Sequence, residues 1–125
     1  DTGTYQALIS DNDARIALPI ASQDGWVLEA DTQYKRTDGT VIGTTNEHAV
    51  FEFDLDAAFG TAAQFAWTGL NNDWTSSSNN CEEWASASGT KNGSYGQVNL
   101  VNGNSIGVSS TPCSTSTLRL ICVEQ

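Results

Sequence analysis

The sequence predicts a single α+β domain spanning residues 1–125, made of short strands joined by long loops. Three observations predict it. Strand-like stretches are brief, with Phe51, Phe53 and Leu55 on one face of 50–55 and a β-rich run at 118–123. Two segments have helix-forming composition: 14–20, stopped by Pro19, and the Ala-rich 56–63, interrupted by Gly60. Gly, Ser, Thr and Asn are abundant, and the hydrophobic share of 38% is lean for a globular domain. A chain of 125 residues is still long enough for one core.

Taken in order, Thr4 to Ile9 is a short apolar stretch in which Tyr5, Ala7 and Ile9 share a face if extended. Asp11-Asn12-Asp13 is a turn or helix start, since Asx side chains satisfy free backbone N–H groups. Asp24-Gly25 signals a turn before Trp26-Val27-Leu28, a buried strand by composition. Tyr34 to Ile42 reads as a hairpin around Asp38-Gly39, the strongest short hairpin signal in the chain. Gln64 to Thr68 is a further strand. The segment from Thr75 to Asn80 is almost wholly Ser and Asn, a loop with nothing to build a core from. Ser86 to Asn104 is again Gly/Ser/Asn-rich. Neither a fixed-period repeat nor a linker divides the chain.

The net charge of −10, with Arg15, Lys35, Arg36, Lys91 and Arg119 the only basic residues, leaves no basic stripe for nucleic acid or an anionic membrane. No apolar run approaches the roughly 20 residues that a membrane span needs. The chain opens Asp1-Thr2-Gly3 and contains no Met, so a processed or excised piece of a longer protein is expected. Three cysteines, widely spaced and with His48 as the only histidine, do not make a zinc site. They read as disulfide chemistry in an oxidising compartment, with one cysteine left over.

Trp67-Thr68-Gly69-Leu70, then Cys81-Glu82-Glu83-Trp84, then Cys113 and Leu120-Ile121-Cys122-Val123-Glu124 resemble the C-type lectin-like fold, and more closely its endostatin branch. Gly3-Thr4-Tyr5-Gln6-Ala7-Leu8-Ile9-Ser10 resembles the stretch before that branch's core, and Ala17 to Ile20 its Val-Pro-Ile. The layout is most like that of bacterial secreted domains of unknown function, whose Tyr-x-Arg-Thr-Asp-Gly-Thr hairpin matches Tyr34 to Thr40. The resemblance implies a C-type lectin-like α+β fold and a Cys81–Cys113 disulfide. It also implies that Cys122 has its partner in a first helix, one that this chain lacks. Cys122 is then unpaired or paired outside the chain, with the helix supplied by an upstream segment or a second subunit. Spacing alone leaves a Cys113–Cys122 bond open. The calcium-binding sugar triplets of the lectins and the clustered zinc histidines of the endostatin branch are absent here.

The chemistry-bearing residues do not suggest an enzyme. His48, in Asn46-Glu47-His48, lacks a nucleophile elbow. Glu82 and Glu83 are adjacent and would point to opposite faces of a strand. Asp54 and Asp56 read as a solvated edge, and no phosphate-binding loop is present. No cofactor is called for. Calcium is the one metal the loops suggest, with Asp73, Glu82 and Glu83 as ligands beside Asn71 and Asn72, unless those residues only make turns. Trp74 is either a core anchor or a platform for stacking sugars. Asn92-Gly93-Ser94 is a glycosylation sequon by pattern.

The expected function is an extracellular, secreted or cell-surface ligand-binding module, with a glycan or an extracellular protein as partner. It would act through the loops between Trp67 and Cys113, using Asn71, Asn72, Asp73, Trp74, Asn79 and Asn80. The alternative is a structural or self-assembling surface or fibre module of a larger secreted protein.

Overall fold

The computed structural model describes residues 4–125. The expected processed start falls on Asp1-Thr2-Gly3, which lie outside the described residues. Among the described residues seven short strands run in chain order: β1 (Tyr5–Ala7), β2 (Gln33–Lys35), β3 (Val41–Thr44), β4 (Phe65–Trp67), β5 (Asn92–Gln97), β6 (Ser109–Pro112) and β7 (Cys122–Glu124). The pairings between these strands are all antiparallel, while the isolated bridges Leu18–Thr75 and Ala66–Arg119 are parallel. β1 pairs with β7, β2 with β3, and β4-β5-β6 form a three-stranded sheet. The β1–β7 pair brings the two ends of the described chain together, with Ala7 opposite Cys122. The hairpin signal at Asp38-Gly39 is realised: Gly39 takes φ +89° and the Arg36 N–H donates to the Thr40 carbonyl at 2.8 Å.

The α+β expectation, and with it the C-type lectin-like fold, is overturned. Among the described residues, helix amounts to two 3-10 turns, Ile20–Ser22 and Gly103–Ser105, and the four-residue turn Cys81–Trp84. Even that turn is left-handed, with φ of 53°, 56°, 59° and 64° in succession. The two candidate helices fail for one reason: their backbone donors are used at long range. Ile16 and Asp24 exchange N–H···O bonds of 2.7 and 3.1 Å, which folds 16–24 into a loop around Pro19. In 55–60, Leu55 donates to Val101, Asp56 and Ala57 to Ile42, and Gly60 to Val98. Ala-rich composition is a weak preference, and tertiary contacts override it. The stretches 26–28 and 50–55 are irregular rather than extended, yet Val27, Leu28, Val50, Phe51 and Leu55 are buried.

The core therefore draws on loops as much as on sheets. Leu8, Leu28, Ile42, Phe51, Leu70, Trp74, Ile106 and Val123 belong to one cluster. Trp74 sits inside it at 3% exposure. Its ring stacks on Phe53 at 5.7 Å and 2°, meets Trp26 edge-on at 5.9 Å, and donates its N–H to the Phe51 carbonyl at 2.9 Å. Hydroxyls satisfy buried backbone elsewhere. Thr68, fully buried, donates to the Ile106 carbonyl, and Ser10 donates to the Arg15 carbonyl at 2.8 Å. Gly69, at φ +64°, lets the strand end turn beneath Ser10: a Cβ there would lie 2.1 Å from the Ser10 carbonyl oxygen.

Removing the Trp74 ring deletes the contact that joins these loops. Trp74→Ala is expected to cost about 3–5 kcal/mol, the range for a buried aromatic truncated to Ala. Urea unfolding followed by far-UV circular dichroism measures it, and a loss below about 1 kcal/mol would be surface behaviour.

Candidate functional site

Cys81 and Cys113 are joined by a disulfide, with Cα atoms 5.8 Å apart and the two residues 32 positions apart in sequence. The bond ties the left-handed turn to the residue that follows β6. The competing Cys113–Cys122 pairing does not form, and Cys122 is an exposed free thiol. On chain-entropy grounds the Cys81–Cys113 closure contributes about 3–4 kcal/mol. The double variant Cys81→Ser/Cys113→Ser is expected to lose that much in denaturant titration, with Cys122 unchanged in its accessibility to a thiol reagent.

The loop expected to bind ligand is largely occupied with itself. Asn71 donates from its amide to Thr75 Oγ1 at 3.0 Å and to the Ser76 carbonyl at 3.2 Å. The Asp73 carboxylate accepts from the Thr75 hydroxyl and from its backbone N–H at 3.1 Å. Asn80 accepts from the Glu83 N–H at 3.0 Å and donates to the Asp11 carbonyl at 2.9 Å. Asn79 gives its carbonyl to the Ser94 N–H at 2.8 Å. Asn72 is exposed, whereas Trp74 is buried and presents no ring face to solvent.

The calcium set does not assemble. Among the described residues no three of His, Cys, Asp and Glu come together as a metal group. Glu82 instead pairs with Lys91 at 3.3 Å, Asp73 is held by Thr75, and Glu83 is exposed.

A concave feature among the described residues lies elsewhere. A cavity of about 570 Å³ opens between β2 and β7, within the size range of ligand pockets. Its floor is apolar: Leu8, Leu28, Ile42, Phe51 and Phe59. Cys122 lines it, and so do Lys35, Arg36 and one acidic residue, Glu124. A neighbouring cavity of about 430 Å³ shares Lys35, Arg36, Ile42, Phe59 and Cys122 and extends past Leu120 to Arg119. Three of the five basic residues thus border a groove on a protein of net charge −10. Arg36 is braced there, donating to the Ala58 carbonyl at 3.0 Å and pairing with Asp38 at 3.4 Å. Tyr5 and Leu120, 44% and 52% exposed, stand on the same borders. In the sequence Cys122 pointed to this place. The floor residues are scattered from Leu8 to Phe59, and no spacing joins them.

Residues 1–101 match the family model described as Protein of unknown function (DUF1554). The chain belongs to that family. The matched span includes the Trp67-Thr68-Gly69-Leu70 and Cys81-Glu82-Glu83-Trp84 motifs and ends before Cys113. No curated protein and no solved structure matches this DUF1554 chain. Among the described residues no helix is long and apolar enough to cross a membrane.

The Asp73–Thr75 clasp gives the loop an acid sensitivity. The Thr75 hydroxyl first, and then its N–H, hold the Asp73 carboxyl below its ordinary 3.8. A depressed carboxyl stabilises the fold above its unfolded value, and that stabilisation is lost as pH falls through the folded value. Asp73→Asn is therefore expected to flatten the decline of melting temperature below about pH 4 while changing little near neutrality. Parallel thermal melts of both proteins across that range measure it.

Proposed function

We propose that this domain is an extracellular binding module, without catalytic activity, that holds a polypeptide segment in the groove beside Cys122. The observation that carries the reading is the combination at one place of an apolar floor, a basic border and an exposed thiol. The Cys81–Cys113 bond fits an oxidising compartment, secreted or at a cell surface, where an exposed thiol finds a partner. The apolar floor suits a segment with one apolar face, and Lys35, Arg36 and Arg119 suit acidic residues beside it. The occupant comes from an upstream segment or a second subunit.

A second reading is a structural or self-assembling module, in which the occupant belongs to another copy. Exposed Tyr5 and Leu120 at the groove borders favour it. Net charge −10 opposes close packing of whole copies.

Peptide mapping without reduction, on protein purified from a secreting host, tests the proposal. A mixed disulfide between Cys122 and a cysteine of a second polypeptide segment is expected, with Cys122→Ser retaining the fold and releasing that segment. A fully free Cys122 thiol that reacts with Ellman's reagent as fast as glutathione, in protein whose Cys81–Cys113 bond is formed, would overturn it.

A further inference from the structure

The outer face of the three-stranded sheet carries aromatic rings that the core does not use. In β4 and β5 side chains alternate between faces. Ala66, Thr68, Ser94 and Gly96 turn inward and are buried. Phe65, Trp67, Tyr95 and Gln97 turn outward, with Phe65 opposite Gln97 and Trp67 opposite Tyr95. Phe65 is 39% exposed, and Trp67, Tyr95 and Trp84 are half-buried. The rings form two edge-to-face pairs, Phe65 with Tyr95 at 5.2 Å and Trp67 with Trp84 at 5.6 Å. Gly93 makes room for the indole: a Cβ there would lie 2.7 Å from the Trp67 ring.

A chain this short of apolar side chains gains core stability by burying its aromatics; Trp84 is held by its bond to Ser10, but Phe65, left exposed, needs another reason. The residues paired across this face are uncharged, and the charges at its end, Lys91 and Glu82, offset each other as an ion pair at 3.3 Å. β6 sets Ser109 opposite Tyr95 and Thr111 opposite Gly93, and the Gln97 amide reaches Asn99 at 2.9 Å. In a chain with fifteen acidic residues, such a neutral strip complements a neutral ligand, neither an anion nor a cation. Rings flanked by hydroxyls and amides match a sugar, whose C–H face stacks on an aromatic while its hydroxyls take hydrogen bonds. Phe65 and Trp67 are two residues apart on one strand, about 7 Å, which suits successive units of a chain.

We infer that this face is a binding platform for a neutral oligosaccharide, with Phe65, Tyr95, Trp67 and Trp84 as the stacking residues. It is separate from the groove beside Cys122 and does not rest on it.

The test uses the full chain and a panel of neutral hexasaccharides: β-1,4- and β-1,3-glucans, xylan, mannan and chitin fragments. Tryptophan fluorescence and titration calorimetry read the binding. At least one fragment is expected to bind at millimolar concentration or below and to shift the fluorescence. Phe65→Ala and Trp67→Phe should each weaken it tenfold or more with unchanged far-UV circular dichroism, and Cys122→Ser should bind as the parent does. Phe65 is exposed, so its truncation keeps the test valid if Trp67→Phe fails to fold. Absence of binding across the panel, affinity unchanged by Phe65→Ala, or preference for an anionic polysaccharide overturns the inference. So does self-association in sedimentation that Phe65→Ala abolishes, which would make the face a contact between copies.

Discussion

Trp74 is the constraint on which this fold depends. With strands of three to six residues, most of the chain runs through irregular backbone, which buries poorly unless side chains order it. The Trp74 indole supplies that order from within a loop. It stacks on Phe53, reaches Trp26 and bonds to the carbonyl of Phe51, and all three of those residues are themselves in segments outside the strands. One ring therefore fixes several loops against each other. The same loops then close on hydroxyls, as in Ser10 with Ser76 at 2.7 Å and Ser94 with Ser77 at 2.7 Å. Each is a small contribution that matters because the backbone nearby has no ladder to join.

The left-handed turn at Cys81–Trp84 is the costly part of the structure. An L-residue in that region pays roughly 1–2 kcal/mol, and four do so in a row. Three contacts hold them. Cys81 is bonded to Cys113, the Asn80 side chain caps the Glu83 N–H, and the Trp84 ring N–H donates to the Ser10 carbonyl at 2.8 Å. The result is positional: Trp84 is turned so that its ring meets Trp67. A strained turn is thus what sets one half of the exposed aromatic strip in place.

Local signals in the sequence were legible where local chemistry decides. Asp38-Gly39 made its hairpin, because a glycine at positive φ is a local requirement. The stretches 26–28 and 50–55 gave their residues to the core although neither is a strand, since burial follows hydrophobicity and extension follows pairing. Trp74 was readable as anchor or platform, and only its neighbours Phe51, Phe53 and Trp26 decide between them. The candidate helices at 14–20 and 56–63 do not form, because carbonyls outside them, Asp24, Ile42 and Val98, take their N–H groups. The Asn-rich loop looked like free donors and acceptors. Its amides and Asp73 are bonded to Thr75, Ser76 and Asp11, which spacing alone does not disclose. The groove was invisible for a topological reason. It needs β2 beside β7, elements far apart in sequence.

Charge then sorts the surface into regions of different chemistry. Acidic residues outnumber basic ones by fifteen to five, yet Lys35, Arg36 and Arg119 collect at the groove and the outer sheet face has none of either sign among its stacking residues. At physiological salt the Debye length is about 8 Å, so an acidic segment inside the groove responds to those nearby cations more than to the distant excess of carboxylates. Farther out, the net charge repels an acidic partner and slows its approach. A groove of that kind favours an occupant already held close, by covalent continuity or by a thiol such as Cys122. A neutral sugar feels neither field, so the sheet face can work at any ionic strength. The two proposed surfaces thus place different demands on the ligands inferred for them, and neither draws on the loop at 71–80, where Asn71, Asp73, Trp74 and Asn80 bond within the fold.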